Sequence, residues 1–135
     1  MHSPLQGVYL SDNDLDGPIP VSLCDIRGLE ALFLDENKLS GGLPPCFARL
    51  KNLVQLYVFK NPELSGGIPD EWTRLTKLEG LGIEETGLSG AIPDAVCALP
   101  NLNAWADCGG IDPQLDCACC DVCCPSDECM ADPLP

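Results

Sequence analysis

The stretch LEALFLDENKLSGGLPPCFARLKN, residues 29–52, decides the fold, because near-copies of it run along most of the 135-residue chain. Each copy carries the same leucine spacing and ends its first half on a Gly-x-(Ile/Leu)-Pro step. The copies begin at Leu5, Leu29, Leu53 and Leu78, and a partial fifth begins at Leu102. The spacings are 24, 24, 25 and 24 residues. A fixed period of this length predicts a solenoid in which each unit is one turn.

Alternating apolar residues near the start of each unit predict a short β-strand with one face towards the core. These inward pairs are Val8 and Leu10, Leu32 and Leu34, Leu56 and Val58, and Leu81 and Ile83. Stacked turns place such strands side by side in a parallel sheet, about 4.8 Å apart. The second half of each unit predicts short 3₁₀ or helical turns on the opposite side. Their inward residues are expected to be Leu23, Phe47, Trp72 and Val96.

Two further positions recur after each strand. An asparagine is expected to point inward, where its amide can donate to and accept from the backbone of neighbouring turns. This position holds Asn13, Asn37 and Asn61, and then Thr86, where we expect a weaker ladder. A glycine suits a tight backbone bend before the proline step. The glycines are Gly17, Gly41, Gly66 and Gly90.

The segments NDLDGPIP, NKLSGGLP, NPELSGGIP and TGLSGAIP resemble the plant-type leucine-rich repeat, LxxLxLxxNxLxGxIPxxLxxLxx, over residues 5–105. The resemblance implies an α/β-type repeat solenoid: a right-handed coil with a parallel β-sheet on its concave face and short 3₁₀ or helical turns on its convex face. It also implies that a ligand binds on the concave face or its rims. We therefore assign residues 1–105 to the repeats and 106–135 to a cysteine-rich C-terminal cap.

Ten cysteines in one short chain are typical of an oxidising compartment. Cys24 and Cys46 lie on adjacent turns of the predicted convex side and are able to meet. The other eight form an even set that allows four more bridges, with Cys97 joining the last full turn to the cap. Their connectivity stays open. The eight are Cys97, Cys108, Cys117, Cys119, Cys120, Cys123, Cys124 and Cys129. Trp105 is expected at an inward strand position, where it would plug the last turn.

The tail also permits a metal site, because CACC and CDVCC resemble the thiolate spacings of metallothionein-like clusters that hold zinc or copper. We favour disulfides because they also account for the cysteines in the repeats, and we assign no metal and no cofactor. The tail resembles the cysteine-rich ends of leucine-rich repeat proteins predicted from diatoms and related algae.

The formal net charge of −14 disfavours nucleic acid and anionic membranes as partners, and no apolar run is long enough to span a bilayer. The opening MHSPLQGVYL does not read as a signal peptide, and residues 1–4 cannot cover an apolar coil end. We expect a fragment of a longer extracellular or cell-surface protein of receptor-like or secreted type.

Aromatic residues occupy one outward position on three successive strands: Tyr9, Phe33 and Tyr57. Phe59 lies beside them, and Gly80 and Gly82 are expected to leave a step on the next strand. Acidic residues surround Lys60 on the rim, and they are Asp12, Asp35, Glu36, Glu84 and Glu85. Our candidate ligand-binding residues are Tyr9, Phe33, Asp35, Gln55, Tyr57, Phe59 and Glu84. Cross-strand packing alone is the competing explanation for the aromatics, and simple solvation for the acids.

No catalytic motif is present, and Glu84 and Glu85 would diverge at a strand end, so we predict no enzyme and no catalytic residues. The favoured function is recognition of a peptide, protein or glycan on the concave face. The alternatives are a structural or adhesive wall protein and an inhibitor of a secreted hydrolase. An ice-binding role is disfavoured by the irregular, charged outward residues.

Overall fold

The computed structural model describes residues 5–106, 115–117, 119, 120, 122 and 123. In chain order its strands are β1 (Gly7–Tyr9), β2 (Asp16–Pro18), β3 (Ala31–Phe33), β4 (Lys38–Gly41), β5 (Gln55–Tyr57), β6 (Glu63–Leu64), β7 (Gly80–Gly82), β8 (Gly90–Ala91), β9 (Asn103–Ala106), β10 (Leu115–Asp116) and β11 (Val122–Cys123). Three 3₁₀ turns lie at Val21–Asp25, Pro45–Arg49 and Asp70–Arg74, and the helix α1 at Asp94–Cys97.

The first strand of each unit joins one parallel sheet in the order β1-β3-β5-β7-β9-β11. Residues 24 apart stand in register, as in the pairing of Val8 with Leu32 and of Leu32 with Leu56. The predicted leucine-rich repeat solenoid is therefore confirmed, with its parallel sheet on one side and 3₁₀ turns on the other.

The alternation predicted for the strands places the core beneath this sheet. Leu32, Leu56 and Leu81 are fully buried in it. On the convex side Phe47, Trp72 and Val96 are buried as predicted. The Trp72 indole stacks on Phe47 with ring centroids 5.9 Å apart. Its Nε1 donates a hydrogen bond to the Pro44 carbonyl at 3.0 Å, so the buried indole is satisfied.

The first turn is less buried than the turns that follow it. Leu10 is 38% exposed, Asn13 is exposed, and Leu23 is only half-buried although it packs against the core as predicted. Burial in a solenoid comes from the turns on both sides, and in the described residues only one neighbour packs against this turn.

The asparagine ladder is present in the interior turns. Asn61 is fully buried, and its Nδ2 donates to the carbonyls of Leu34 (3.0 Å) and Val58 (2.9 Å). Its Oδ1 accepts from the Leu39 N–H at 3.0 Å. One amide thus ties two turns together through otherwise unsatisfied backbone groups.

A second, smaller sheet was not predicted. It follows the asparagine position, in the order β2-β4-β6, with β8 and β10 forming a separate pair. The glycines of this region bend the chain as predicted, with φ angles of 75°, 77°, 84° and 88° at Gly17, Gly41, Gly66 and Gly90. Such angles favour glycine because a Cβ strains them.

Three disulfides join described cysteines. Cys24 bonds to Cys46 across adjacent turns, with a Cα–Cα distance of 5.7 Å. Cys97 bonds to Cys119, which joins α1 to the tail as expected. The third bond links Cys117 to Cys120. The side chains of Cys108, Cys123, Cys124 and Cys129 lie outside the described residues, so their predicted pairing is untested.

The described residues of the tail continue the coil. Strand β10 pairs with β8, and β11 pairs with β9, all in parallel. The division at residues 105 and 106 into repeats and cap stays a prediction. No helix in the described part of the chain is long and apolar enough to cross a membrane.

Candidate functional site

The three aromatic residues at one outward strand position form a continuous row, called here the aromatic ladder (Tyr9, Phe33 and Tyr57). Ring centroids are 5.1 Å apart between Tyr9 and Phe33 and 4.9 Å apart between Phe33 and Tyr57. Both pairs are edge-to-face, at 72° and 67°, the geometry that the ring quadrupoles favour. Tyr9 is 66% exposed and the other two rings are half-buried. The ladder therefore packs across strands and still presents aromatic surface to solvent.

The Tyr57 ring leans over the glycines of the next strand. A Cβ built on Gly80 would lie 2.6 Å from the Tyr57 hydroxyl oxygen, and one on Gly82 would lie 2.9 Å from Tyr57 Cδ1. One edge of the ring therefore runs along β7, and only glycine fits beneath it. The Tyr57 ring therefore fills part of the step that was expected at these glycines.

The prediction for Trp105 was wrong. Backbone pairing sets Gly82 opposite Trp105 and Leu81 opposite Ala104, so the register offset is 23 residues here instead of 24. Because strand side chains alternate, a shift of one residue exchanges the two faces. Ala104 and Ala106 are accordingly buried, and Trp105 stands on the concave face, in line with the aromatic ladder and half-buried.

A shallow pocket of about 230 Å³ opens where the ladder meets Trp105. We call it the concave pocket. It is lined by Tyr57, Phe59, Gly82, Glu84 and Trp105. The Phe59 ring stands at 66° to Tyr57, with centroids 6.0 Å apart. Three aromatic rings and a carboxylate thus surround Gly82. Because this residue has no side chain, space is left at the base of the pocket.

Negative charge dominates this end of the face. Burial, and then the charges of Glu84 and Asp35, raise the pKa of the Tyr57 hydroxyl above its usual value of 10.0. Each cause disfavours the phenolate, so the ring stays neutral over the physiological range. Glu84 Oε1 is itself buried. Lys60, on the rim, has its Nζ 3.7 Å from Glu36 Oε1.

Most of the predicted site residues converge. Tyr9, Phe33, Tyr57 and Phe59 are contiguous, and Glu84 joins them at the pocket. The other two contribute differently. Gln55 is exposed on β5, at the far end of the strand from Phe59. Asp35 is buried and accepts a hydrogen bond from Ser11 Oγ at 2.8 Å, so its carboxylate is not exposed on the concave face. Trp105 is the residue that sequence reasoning missed.

The cysteines of the tail that the structure describes are relevant to the alternative hypothesis of a thiolate metal site. The Sγ atoms of Cys97, Cys117 and Cys119 lie within 4.8 Å of one another. Zinc and copper bind thiolates, however, and each of these sulfurs is bonded to another cysteine in the structure. The arrangement is two neighbouring disulfides: Cys97–Cys119 links helix α1 to the tail, and Cys117–Cys120 lies within the tail.

Comparison with known proteins identifies the first two of the repeats. Residues 4–26 and 28–50 match the family model described as Leucine Rich Repeat. No curated protein matches the sequence.

Among solved structures, the chain is similar to the plant peptide hormone receptor RGFR1 in complex with RGF2, at 35% identity and a TM-score of 0.72, over 76% of this chain and 17% of that one. It is similar to the ectodomain of the receptor kinase SOBIR1 from Arabidopsis thaliana, at 31% identity and a TM-score of 0.68, over 76% of this chain and 54% of that one. A plant ice-binding protein is 27% identical with a TM-score of 0.73, over 84% of this chain and 35% of that one. The chain therefore spans between about a sixth and about half of the lengths of these proteins.

Proposed function

We propose that this chain, a leucine-rich repeat protein, is an extracellular recognition module that binds a peptide or an extended protein segment on its concave face. The observation that carries the proposal is the row of rings from Tyr9 to Trp105, which ends at the concave pocket. The core lies beneath the sheet and does not include these rings. Aromatic side chains on an open surface are the residues most enriched at binding sites.

The dimensions of the face suit an extended peptide. The row crosses five strands, β1, β3, β5, β7 and β9, and therefore four strand spacings of about 4.8 Å, or about 19 Å in all. An extended chain advances about 3.3 Å per residue, so about six residues would cover the row. The alternate side chains of such a peptide could meet the ladder and the pocket in turn.

The structural relatives favour the same class of function. RGFR1 is a peptide hormone receptor in complex with RGF2, and SOBIR1 is a receptor kinase whose ectodomain has the same coil. By this likeness the chain would be an extracellular part of a receptor-like or secreted protein. An inhibitor of a secreted hydrolase would use the same face on a larger protein partner.

Three other functions remain distinct from this proposal. A glycan could stack its sugar rings on the same aromatics. An adhesive wall protein would use the repeats only as spacing. Ice binding, suggested by the third relative, needs a flat and regular face. Here the outward residues in register change from Gln55 to Gly80 to Asn103, which is not regular.

The test is selection of binders from a library of random twelve-residue peptides, alongside an array of plant and algal glycans, using oxidised protein. We expect peptides that bind the native protein, lose affinity on Tyr57→Ala and keep it on Val21→Ala. Val21 is a matched control because it is an exposed apolar residue on the convex side, at 68% exposure. Peptides indifferent to Tyr57, or binding to glycans alone, would contradict the proposal.

A further inference from the structure

We infer that the concave pocket binds a guanidinium group, so that the ligand presents an arginine side chain to Tyr57, Phe59, Glu84 and Trp105. This inference rests on the proposed recognition function and names the chemistry that the concave pocket would recognise. It follows from the composition of the lining, the charge around it and the spacing of the strands.

The lining combines the two features that attract an organic cation. Tyr57, Phe59 and Trp105 offer ring faces whose quadrupoles are negative, and tryptophan is the strongest of the aromatic partners. Glu84 adds a full negative charge beside them. The described lining residues include no cation that would occupy the pocket in place of a ligand. An apolar ligand gains nothing from the carboxylate, whereas a cation is attracted both by the rings and by Glu84.

The surroundings of the pocket strengthen the preference for positive charge. Asp35 lies close enough for its charge, with that of Glu84, to act on the Tyr57 hydroxyl. The adjoining rim also carries Glu36 and Glu85, and its lysine, Lys60, lies beside Glu36. The formal charge of the whole chain is −14. These charges therefore attract a basic segment and repel an acidic one. At physiological salt the effect extends over the Debye screening length, about 8 Å.

The spacing of the strands suits a planar group. Tyr57 on β5 and Trp105 on β9 flank Gly82 on β7, so their backbones are two strand spacings apart, about 9.6 Å. A flat group between two rings needs about 7–8 Å, which is two van der Waals contacts. Because the Tyr57 ring leans over Gly82, the space between the Tyr57 and Trp105 rings is narrower than the distance between their backbones and closer to what a flat group needs. Guanidinium is planar, stacks on aromatic faces and pairs with carboxylates through a fork of N–H donors, whereas an ammonium is a compact, strongly hydrated point charge.

The probes are acetyl-arginine-amide and acetyl-citrulline-amide, which have the same shape and differ in charge, with acetyl-lysine-amide as a third. Binding to the oxidised protein is followed by NMR at the Trp105 indole and the Gly82 amide. We expect saturable shifts with the arginine probe and at least about tenfold weaker binding of the other two. Equal binding of citrulline would overturn the cationic assignment, and equal binding of lysine would overturn guanidinium.

Two variants separate the local charge from the net charge. Glu84→Gln and Glu63→Gln each remove one negative charge, but Glu63 lies on β6, in the second sheet. We expect about tenfold weaker arginine binding with Glu84→Gln and unchanged binding with Glu63→Gln. If both variants bind like the native protein, the inference fails.

Failure of this inference is distinguishable from failure of the proposed function. Selected peptides that require Tyr57 but are indifferent to Glu84→Gln and contain no arginine would sustain recognition and overturn the guanidinium site. If no peptide depends on Tyr57 while the arginine probe still shifts Trp105, the recognition proposal fails and the guanidinium site stands.

Discussion

Replacing Asn61 by alanine is expected to lower the free energy of unfolding by about 3–4 kcal/mol. The side chain is fully buried and makes three bonds that fall within 3.0 Å, to Leu34, Val58 and Leu39, with a longer one to Phe59 at 3.3 Å. Each such bond contributes about 1 kcal/mol net, and more where the partner stays buried without one. The loss is a large share of the ~5–15 kcal/mol that stabilises an ordinary domain.

The matched control is Asn13→Ala. Asn13 occupies the same repeat position, and its Nδ2 donates to the Leu10 and Ser11 carbonyls at 3.0 and 3.2 Å, but the side chain is exposed. Water can replace these bonds, so we expect a loss of about 0.5 kcal/mol. With a urea dependence of about 2 kcal/mol/M, Asn61→Ala should lower the unfolding midpoint by about 1.5–2 M, and Asn13→Ala should lower it by about 0.25 M.

The assay is urea unfolding followed by far-UV circular dichroism, with the disulfides kept oxidised in both proteins. Equal slopes in the two transitions would allow the midpoints to be compared directly. If the two variants differ by less than about 1 kcal/mol, the account of the asparagine as a buried link between turns is wrong.

Three further outcomes are expected. Replacing Cys24 and its disulfide partner by serine should cost about 3 kcal/mol in oxidised protein, measured by urea unfolding, and reductant should remove the difference. The phenolate absorbance of Tyr57 should appear at higher pH than that of free tyrosine. Glu84→Gln should lower the Tyr57 pKa without restoring its usual value, because burial is the larger cause. Because the folded protein holds the Tyr57 proton more tightly than the unfolded chain does, the neutral hydroxyl makes a contribution to stability that is fully present below pH 10. This contribution is lost as pH rises through the folded-state pKa. An unfolding midpoint that does not change with pH over this range would contradict the raised pKa. Gly82→Ala should abolish binding at the concave pocket, because its Cβ would lie 2.9 Å from the Tyr57 ring. Gly67→Ala, whose nearest contact is 3.5 Å, should leave binding intact.

The coil could be predicted because every turn repeats the same local physics. Alternation at Leu32 and Leu34 requires one buried face, and Gly41 before a proline step requires a bend. The second sheet escaped prediction because its strands, such as Asp16–Pro18, carry no apolar alternation. Alternation is the signal by which short strands are recognised in a sequence, and it is present in the strands of the first sheet.

The candidate site was predicted in part. The ladder follows directly from aromatics 24 residues apart, as Tyr9 and Phe33 are. Trp105 was misplaced because counting from the leucine of its unit assumes a register of 24, and the strand pairs at 23. The bond from Ser11 to Asp35 was also missed, because it depends on side-chain directions across two turns. Lateral contacts between turns are set by packing, which a single unit does not encode.

The most direct test of the central claim uses the tryptophan fluorescence of two variants, since the chain has only Trp72 and Trp105. With Trp72→Phe, the remaining Trp105 should be readily quenched by acrylamide, and a peptide selected on the concave face should protect it. With Trp105→Phe, the remaining Trp72 should resist quenching whether or not the peptide is present, because it is fully buried. The claim would be contradicted if Trp105 were as inaccessible as Trp72 in the free protein, or if saturating peptide left its quenching unchanged.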